Sequence, residues 1–336
     1  MGKKISYLLV GFACIAIAAA GIVLAEVRQA PSGGSEAERQ EGNPKVEMIR
    51  LIGDLHAYAV KKNPSFELKG NNGLGIYNSE DVTEQDTQYL LSSISGIIME
   101  EYNYGWEMKD DSITPGSARR EMQANLTIPM EKKVPVLNID YCRTEKHVAN
   151  GYAVSAEKGF IEYAAPHRQL DSLPETGAHY ANTVNIRSLS DVKNFLVLLN
   201  PDKFKHKAEY LAALAGSEYD LIIVDSLFDG VPLSAEEVAS LKHKPQGGDR
   251  LVFAYLSLGE AEDYRSYWKK EWSAHRPDWI AEENESWNGN YKVKFWTTEW
   301  RQIVFGAKDA LLDQILAQGF DGSFLDVIDA YDYFMQ

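Results

Sequence analysis

The stretch Gly319-Phe-Asp-Gly-Ser-Phe-Leu-Asp-Val-Ile-Asp-Ala-Tyr331 contains the unit from which the fold can be predicted. Gly319 follows a helical pattern and stands at the left-handed position in which glycine commonly ends a helix. The apolar run from 322 to 325 is short and does not alternate with polar residues, which indicates a strand that is buried on both faces. Asp326 follows the strand directly. A helix, a fully buried strand and an acid at its end are typical of a parallel α/β fold.

The same unit recurs along most of the chain. Short apolar runs predict strands at 66–69, 96–99, 134–139, 160–164, 195–199, 221–224, 251–256, 291–296 and 322–325. Helical patterns lie between them at 44–62, 85–94, 119–126, 144–158, 205–215, 235–241, 264–272 and 299–317. About eight strand and helix units in one chain predict a (β/α)₈ TIM barrel rather than an open sheet. Residues 171–185 carry Pro, Gly, Ser and Thr without a period, and they are predicted to form an internal linker.

The N-terminus has the pattern of an export signal. Lys3 and Lys4 precede a mostly apolar stretch from 6 to 25 that contains no charged residue. The stretch is long enough to span a bilayer, and Val23-Leu24-Ala25 is a suitable cleavage site. Residues 1–25 are therefore predicted to be a signal peptide or a membrane anchor, 26–42 a flexible linker, and 43–336 the barrel. We expect a secreted or cell-envelope protein, tethered through residues 6–25 if the signal is retained.

Composition and charge exclude several classes of function. Of the 336 residues, 45% are hydrophobic and 25% are charged, as in a soluble globular protein with a large core. The net charge of −15 argues against a nucleic-acid partner, which would require a basic face. The seven histidines show no metal-ligand spacing, and neither a Gly-x-Ser-x-Gly motif nor a phosphate-binding glycine loop is present. The sequence therefore predicts neither a metal nor a cofactor.

Polar residues cluster at the predicted strand ends, where the active sites of parallel barrels form. They are Asn71, Asn72, Glu100, Glu101, Asp140, Tyr141, Asp225, Ser257, Glu260, Lys294, Asp326 and Asp329, with Tyr255 and Trp296 among the bordering aromatic residues. Carboxylates and amides bind sugar hydroxyls, and aromatic rings stack on the apolar faces of sugars. Two such acids can hydrolyse a glycosidic bond, but these patterns do not select the pair. Each acid also fits a surface or helix-capping role, and the aromatic residues also fit the core.

Longer strings identify a family resemblance. The run Ala254-Tyr-Leu-Ser-Leu-Gly-Glu-Ala-Glu-Asp-Tyr-Arg265 and the opening stretch 319–331 resemble glycoside hydrolase family 114. The family comprises endo-α-1,4-polygalactosaminidases and related extracellular polysaccharide hydrolases. The resemblance implies that Asp326 is the nucleophile and that Glu100 is the general acid/base, with Glu101 as a one-residue alternative. It also implies sugar-subsite roles for Asp225, Tyr255, Glu260 and Asp329. Asn71, Asp140 and Trp296 join the substrate-binding candidates because of their positions at strand ends.

The order of the matching strings implies a circular permutation. In the family, the strand with Phe-Leu-Asp is the fifth and the segment 289–296 resembles the fourth. The strings at 48–73, 97–105 and 136–142 resemble the later strands, although they come first here. The linker at 171–185 would then join the two halves, and the helix at 44–62 would pack behind the strand at 322–325. The chain has Thr297 after the Phe-Trp of the segment 289–296, whereas members of the family often carry an acid at this position. The alternatives are a non-catalytic carbohydrate-binding barrel and a barrel enzyme of different chemistry.

Overall fold

The computed structural model describes residues 42–335, so the predicted signal or anchor and nearly all of the predicted linker lie outside the described residues. The helices are α1 Pro44–Lys62, α2 Glu84–Ser93, α3 Gly116–Asn125, α4 Thr127–Glu131, α5 Glu145–Lys158, α6 Lys207–Ala215, α7 Ala235–Ser240, α8 Thr298–Val304, α9 Leu311–Ala317 and α10 Tyr331–Phe334. The strands are β1 Glu67–Asn71, β2 Gly96–Glu100, β3 Val136–Tyr141, β4 Ile161–Ala165, β5 Phe195–Leu198, β6 Leu221–Val224, β7 Leu227–Phe228, β8 Val231–Pro232, β9 Leu251–Ser257, β10 Glu260–Glu262, β11 Ile280–Glu283, β12 Asn290–Val293 and β13 Gly322–Asp326. In this part of the chain, no helix is both long and apolar enough to cross a membrane.

Eight parallel strands form the predicted barrel. Their order is β4-β3-β2-β1-β13-β9-β6-β5, and the neighbouring strands pair in parallel. The two ends of this sheet, β4 and β5, also lie against each other, where the rings of Tyr163 and Phe195 are 5.6 Å apart. The sheet is thus a nearly closed α/β barrel with helices around it, which confirms the predicted fold class.

Helix α1 packs against helices from both the early and the late parts of the described chain. Asn43 caps the helix by accepting a hydrogen bond from the Lys45 backbone N–H, and Pro44 occupies the first turn. The helix contacts α2, α9 and α10. The Tyr58 hydroxyl donates a 2.7 Å hydrogen bond to Asp313 on α9. Strand β1 consequently pairs with β13 and joins the first and last parts of the described chain into one sheet.

Two sequence predictions between β9 and β13 are wrong. The predicted barrel strand 291–296 is instead β12, which pairs antiparallel with β10 and β11 in a separate small sheet, while β9 pairs directly with β13. Tyr291 and Lys292 are only partly buried, so this run lacks the two-sided burial of a barrel strand. The predicted helix 264–272 is irregular except for a short 3₁₀ turn at Lys270–Ser273.

The long helix predicted at 299–317 is also wrong, because the structure divides it into α8 and α9. Gly306 and Asp309 lie between the two helices and adopt left-handed backbone angles, with φ of 86° and 67°. A residue in that region interrupts right-handed helical geometry. Gly319 has a φ of 80° after α9, as predicted for a helix-ending glycine.

The interior of the barrel is filled with side chains. A methyl group on Gly322 would come within 2.4 Å of the Phe253 ring, and one on Gly96 would come within 2.2 Å of Leu189. Both glycines therefore make room for large neighbours inside the barrel. Lys69 is fully buried, with its ammonium nitrogen 3.6 Å from the centre of the Phe253 ring. Burial lowers the pKa of Lys69 to about 7. The packed interior confines any active site to the rim.

Candidate active site

Three adjacent strands bring Glu100 and Asp326 together. Glu100 ends β2 and Asp326 ends β13, while β1 lies between these strands and ends at Asn71. The side-chain amide of Asn71 donates to Glu100 Oε1 at 2.7 Å and to Asp326 Oδ1 at 2.9 Å. Because one nitrogen serves both oxygens, these two oxygens lie no more than about 5.6 Å apart. Two residues far apart in the sequence thus form a close carboxyl pair.

Glu100 is held by further hydrogen bonds. Asn72 donates to Glu100 Oε1 at 2.7 Å, and its side-chain oxygen accepts the Glu100 backbone N–H at 3.1 Å. Tyr141, at the end of β3, donates its hydroxyl to Glu100 Oε2 at 2.5 Å. Both carboxyl oxygens of Glu100 therefore have defined partners, which fixes the orientation of the group.

Both carboxyl groups bind a proton more tightly than an exposed acid does. Burial raises the pKa of Glu100 to about 7, although the hydrogen bonds from Tyr141 and Asn71 and the charge of Arg168 oppose the shift. Burial, followed by the nearby charge of Glu100, raises the pKa of Asp326 to about 7. Two acids that interact at this distance titrate as a pair. Near neutral pH the pair can therefore hold one proton and one negative charge, as acid/base chemistry requires.

The backbone turns sharply after Asn71, Glu100 and Asp326. Asn72, Glu101 and Val327 follow Asn71, Glu100 and Asp326, and their φ angles are 56°, 62° and 56°. Asparagine tolerates this left-handed region, but a β-branched valine rarely adopts it. The Val327 backbone N–H donates to Asp326 Oδ1 at 2.9 Å, so the strained turn orients this carboxyl group.

Glu101 has surroundings different from those of Glu100. Arg168, in the loop after β4, forms an ion pair with Glu101 at 2.5 Å, and the side chains of both residues are buried. Arg168 also donates to the Gly105 carbonyl at 2.6 Å, and its guanidinium carbon lies 4.0 Å from the centre of the Tyr141 ring. Glu101 is thus held beside the ring that contacts Glu100, whereas Glu100 itself contacts Asn71.

Two further predicted residues lie within electrostatic range of Asp326. Glu260 accepts a 2.7 Å hydrogen bond from Asn284 and lies 3.5 Å from the Lys292 ammonium nitrogen. Asp329 follows the turn after β13 and is 9% exposed, and burial raises its pKa well above the usual range. The charges of Asp326 and Glu260 raise the pKa of Asp329 further. Glu260 and Asp329 therefore add two carboxyl groups to the rim around Asp326.

The predicted aromatic residues differ in position. Tyr255 on β9 is 8% exposed, its ring is stacked 6.2 Å from that of Phe324, and its pKa is raised by burial and by Asp326. Tyr255 therefore lies beside the carboxyl pair. Trp296 follows the small sheet rather than a barrel strand, and its ring packs 4.9 Å from Phe334 and 5.0 Å from Phe295.

Asp225 and Asp140 have other partners. Both carboxyl oxygens of Asp225 contact the Arg265 guanidinium, at 3.0 and 2.9 Å, so the positive charge of Arg265 balances the negative charge of this acid. Asp140 is fully buried and accepts the backbone N–H groups of Asn103 and Tyr104 at 2.9 and 3.2 Å. The hydrogen bonds and ion pairs of these two acids within the described chain lead to Arg265 and to the loop at 103–104, not to Glu100 or Asp326.

Two arginines at this end of the barrel were missed by sequence reasoning. Arg168 and Arg265 are 3% and 8% exposed, and each forms an ion pair with a predicted site acid. Arg168 lies four residues after the predicted strand 160–164, the same spacing that separates Asp329 from the strand 322–325, and this position is the signal in the sequence that points to it. Among residues 42–335, no group of three or more His, Cys, Asp or Glu side chains is arranged to hold a metal ion.

Comparison with known proteins gives matches to parts of the chain. The model of glycoside-hydrolase family GH114 matches residues 206–336, a range that includes Asp326 but not Glu100. An uncharacterized protein of Methanocaldococcus jannaschii is 36% identical over 163 residues, 45% of each chain. Uncharacterized proteins of Thermotoga maritima and Deinococcus radiodurans are 38% and 43% identical over 123 and 122 residues; the matches cover 37% and 36% of this chain and 36% and 37% of those relatives. The chain thus matches less than half the length of these relatives.

Proposed function

We propose that the protein is a glycoside hydrolase that cleaves an extracellular amino-sugar polysaccharide of the α-1,4-polygalactosamine type, since the model of glycoside-hydrolase family GH114 matches residues 206–336. The observation that carries the proposal is the pair formed by Glu100 and Asp326 on the single amide of Asn71. The short separation of their oxygens fits a retaining mechanism, in which the two carboxyl groups are about 5–5.5 Å apart, better than an inverting one.

In the proposed mechanism, Asp326 is the nucleophile and Glu100 is the acid/base. Asp326 attacks the anomeric carbon while Glu100 gives its proton to the glycosidic oxygen, so the bond to the leaving sugar breaks and a covalent glycosyl–Asp326 ester forms. Glu100 then takes a proton from a water molecule, and the resulting hydroxide displaces Asp326 from the sugar. Asn71 donates to both carboxyl groups and so holds them in fixed positions relative to each other during both steps.

The net charge of −15 supports a cationic substrate. A polymer with free amines would be attracted to a negatively charged protein, and salt would weaken the attraction. At the site itself, Glu100 and Asp326 together carry one negative charge near neutral pH, and Glu260 and Asp329 lie within electrostatic range of Asp326. Tyr255 supports the sugar assignment, since an aromatic ring beside the acids can contact the apolar face of a sugar.

The experiment is incubation of the protein with partly deacetylated galactosamine oligomers, followed by separation of the products. We expect shorter oligomers whose new reducing ends keep the α configuration. Asp326→Asn and Glu100→Gln should each lower the rate at least about a hundredfold, because each removes one of the two acid functions. Glu131→Gln, an exposed acid on α4, is the control and should retain full activity.

The outcomes separate the alternatives. An Asp326→Asn variant with full activity would refute the nucleophile. Oligomer binding without cleavage by the unmodified protein would instead favour a carbohydrate-binding barrel without catalysis. A rate that is the same in low and high salt would contradict the attraction of a cationic chain.

We also propose a secreted or cell-envelope location and a circularly permuted strand order. The pairing of β1 with β13 and the packing of α1 against α9 support the permutation, because they show that the first and last described segments are neighbours. A rearranged gene that encodes 186–336 before 43–185 through a short linker should give a folded protein. Failure of that chain to fold, with the original order folding normally, would argue against the permutation. Fractionation of the native host tests the location.

A further inference from the structure

A second group of buried polar side chains lies on the outer side of the sheet, under helix α5. Asp140 on β3, Glu162 on β4 and Ser155 on α5 are at most 4% exposed. Asn138 on β3 donates to Glu162 Oε2 at 2.8 Å, and the Ser155 hydroxyl donates to the same oxygen. The proposed hydrolysis does not use these residues directly.

Two carboxyl oxygens in this group lie close to the same point on α5. Asp140 Oδ2 and Glu162 Oε1 are both buried and accept no hydrogen bond from a donor among residues 42–335. A methyl group on Gly151, in α5, would come within 3.2 Å of Asp140 Oδ2 and 3.4 Å of Glu162 Oε1, so both oxygens border the same small space. Within the described chain, neither acid forms an ion pair with a basic side chain. Two buried carboxylates so close together would repel each other strongly unless a proton lay between them.

The other oxygen of Asp140 supports the loop that follows Glu100. Asp140 Oδ1 accepts the backbone N–H groups of Asn103 and Tyr104, and Asn138 accepts that of Tyr102 at 3.2 Å. Three consecutive backbone donors in this loop are therefore satisfied by β3 side chains. Because the loop starts at the end of β2, the same contacts limit the movement of Glu100.

We propose that Asp140 and Glu162 share one proton and that this acid pair positions the loop that follows Glu100. Glu162 holds the proton on Oε1 and donates it to Asp140 Oδ2, while Asp140 bears the negative charge, which the Asn103 and Tyr104 N–H groups stabilise. Glu162 Oε2 remains the acceptor for Asn138 and Ser155. When the pair loses its proton to solvent at higher pH, two buried anions remain, and the loop loses its anchor.

The electrostatics of the surroundings agree with this arrangement. Burial, followed by the charge of Asp140, raises the pKa of Glu162 well above the usual range, and burial also raises the pKa of Asp140. Among the described residues, the charge of Asp140 or Glu162 raises the pKa of five further groups, which are Glu101, Tyr102 and Tyr104 from the loop, Cys142 after β3, and Tyr152 on α5. None of these five groups is a cation near neutral pH that could replace the proton.

The test uses Glu162→Gln, whose amide can donate permanently to Asp140 Oδ2. Since the folded pair binds its proton more tightly than the unfolded chain, the unmodified protein loses stability as the pH rises above the ordinary carboxyl range. We expect similar Tm values for the two proteins at pH 5 and an advantage for Glu162→Gln at pH 9 of at least about 3 °C. At pH 9, amide exchange in residues 101–105 should be faster in the unmodified protein than in the variant, and at pH 5 it should be equal.

Infrared spectroscopy checks the proton itself. The difference spectrum of the unmodified protein minus Glu162→Gln at pH 7 should contain the carbonyl stretch of a protonated carboxylic acid. If Glu162→Gln does not fold, Asp140→Asn replaces it, because the new amide can donate permanently to Glu162 Oε1 and so take the place of the shared proton, which leaves the single negative charge on Glu162 and removes the same band. Parallel Tm curves with no such band would overturn the proposal. None of these measurements requires catalytic activity, so the proposal and the proposed function can fail separately.

Discussion

Glu100 and Asp326 accept hydrogen bonds from the same nitrogen, Nδ2 of Asn71, although they end two strands that are not adjacent. The strand between them ends in a short amide that donates to both acids. A longer or charged side chain at that position would separate the carboxyl groups or add a third charge. The amide also lowers the proton affinity of both acids, because it stabilises their ionised forms. Asn71 therefore sets both the spacing and the acidity of the pair.

Removing this shared donor should affect rate and pH dependence together. In Asn71→Ala, both carboxyl groups lose a donor that stabilises their charge, so their pKa values should rise and the pH–rate profile should move to higher pH. We expect kcat to fall about a hundredfold, since the two groups also lose their common orientation. The measurement is kcat as a function of pH on the oligomers described above.

Asn72→Gly is the matched comparison for that variant. Asn72 donates to Glu100, whereas Asn71 is the amide that donates to Asp326, and glycine tolerates the φ of 56° at position 72 without strain. The loss of activity should be smaller than in Asn71→Ala. Equal losses in the two variants would contradict a special role for the shared amide.

The pH dependence of kcat/KM should be bell-shaped. Activity requires a protonated Glu100 and an ionised Asp326, and burial raises the pKa of Glu100 to about 7. Burial also raises the pKa of Asp326 to about 7, and the two groups titrate as a pair, so the rate should fall on both sides of a narrow optimum near pH 7: above it when Glu100 loses its proton and below it when Asp326 gains one. The profile should be measured with oligomers of low and high amine content, because substrate amines also titrate. An alkaline limb that shifts entirely with amine content would mean that the substrate, and not Glu100, causes it.

Asp326 should cost the protein stability at neutral pH. Burial raises its pKa from 3.8 to about 7, so the folded state binds the proton more tightly than the unfolded state. Stability should therefore decrease as the pH rises from about 4 to about 7 and then level off. Asp326→Asn removes this effect and should be more stable than the unmodified protein by about 2–4 kcal/mol at pH 8, with a much smaller difference at pH 4.

Urea unfolding of both proteins at the two pH values measures this effect. Glu131→Gln is again the control, since this acid is exposed on α4 and should leave the free energy of unfolding unchanged at either pH. A stability difference between Asp326→Asn and the unmodified protein that does not change with pH would contradict the raised proton affinity of Asp326.

The barrel could be predicted from the sequence because its strands are buried on both faces. Runs such as 221–224 and 322–325 are apolar without alternation, and this pattern belongs to parallel sheets. The run at 291–296 is wrongly predicted to be a barrel strand, because its hydrophobic residues also fit a half-buried antiparallel strand. Only tertiary pairing with β10 distinguishes the two possibilities.

The candidate site could be predicted as a set of strand-end residues but not as an arrangement. Glu100 and Glu101 are adjacent acids, and their sequence does not show that the turn at Glu101, with a φ of 62°, sends the two side chains to different partners. Asp140 lies one residue before the end of β3, and its side chain faces α5 because side chains alternate along a strand, whereas Tyr141, which ends β3, reaches Glu100. The register of each strand decides which of its polar residues reaches the rim.

The ion pair between Arg168 and Glu101 should behave as a buried pair. Both side chains are at most 6% exposed, so Arg168→Met leaves the Glu101 carboxylate buried without its partner. We expect a loss of about 3–5 kcal/mol in the free energy of unfolding, and a second change, Glu101→Gln, should recover much of it because it removes the unpaired charge. Urea unfolding of the two single variants and the double variant measures the coupling. Arg301→Met is the control, because its ion pair with Asp54 is partly exposed and should contribute at most about 1 kcal/mol. If the double variant were as unstable as the sum of the single ones, Arg168 would stabilise the fold mainly through its contact with the Tyr141 ring and its hydrogen bond to Gly105 rather than through Glu101.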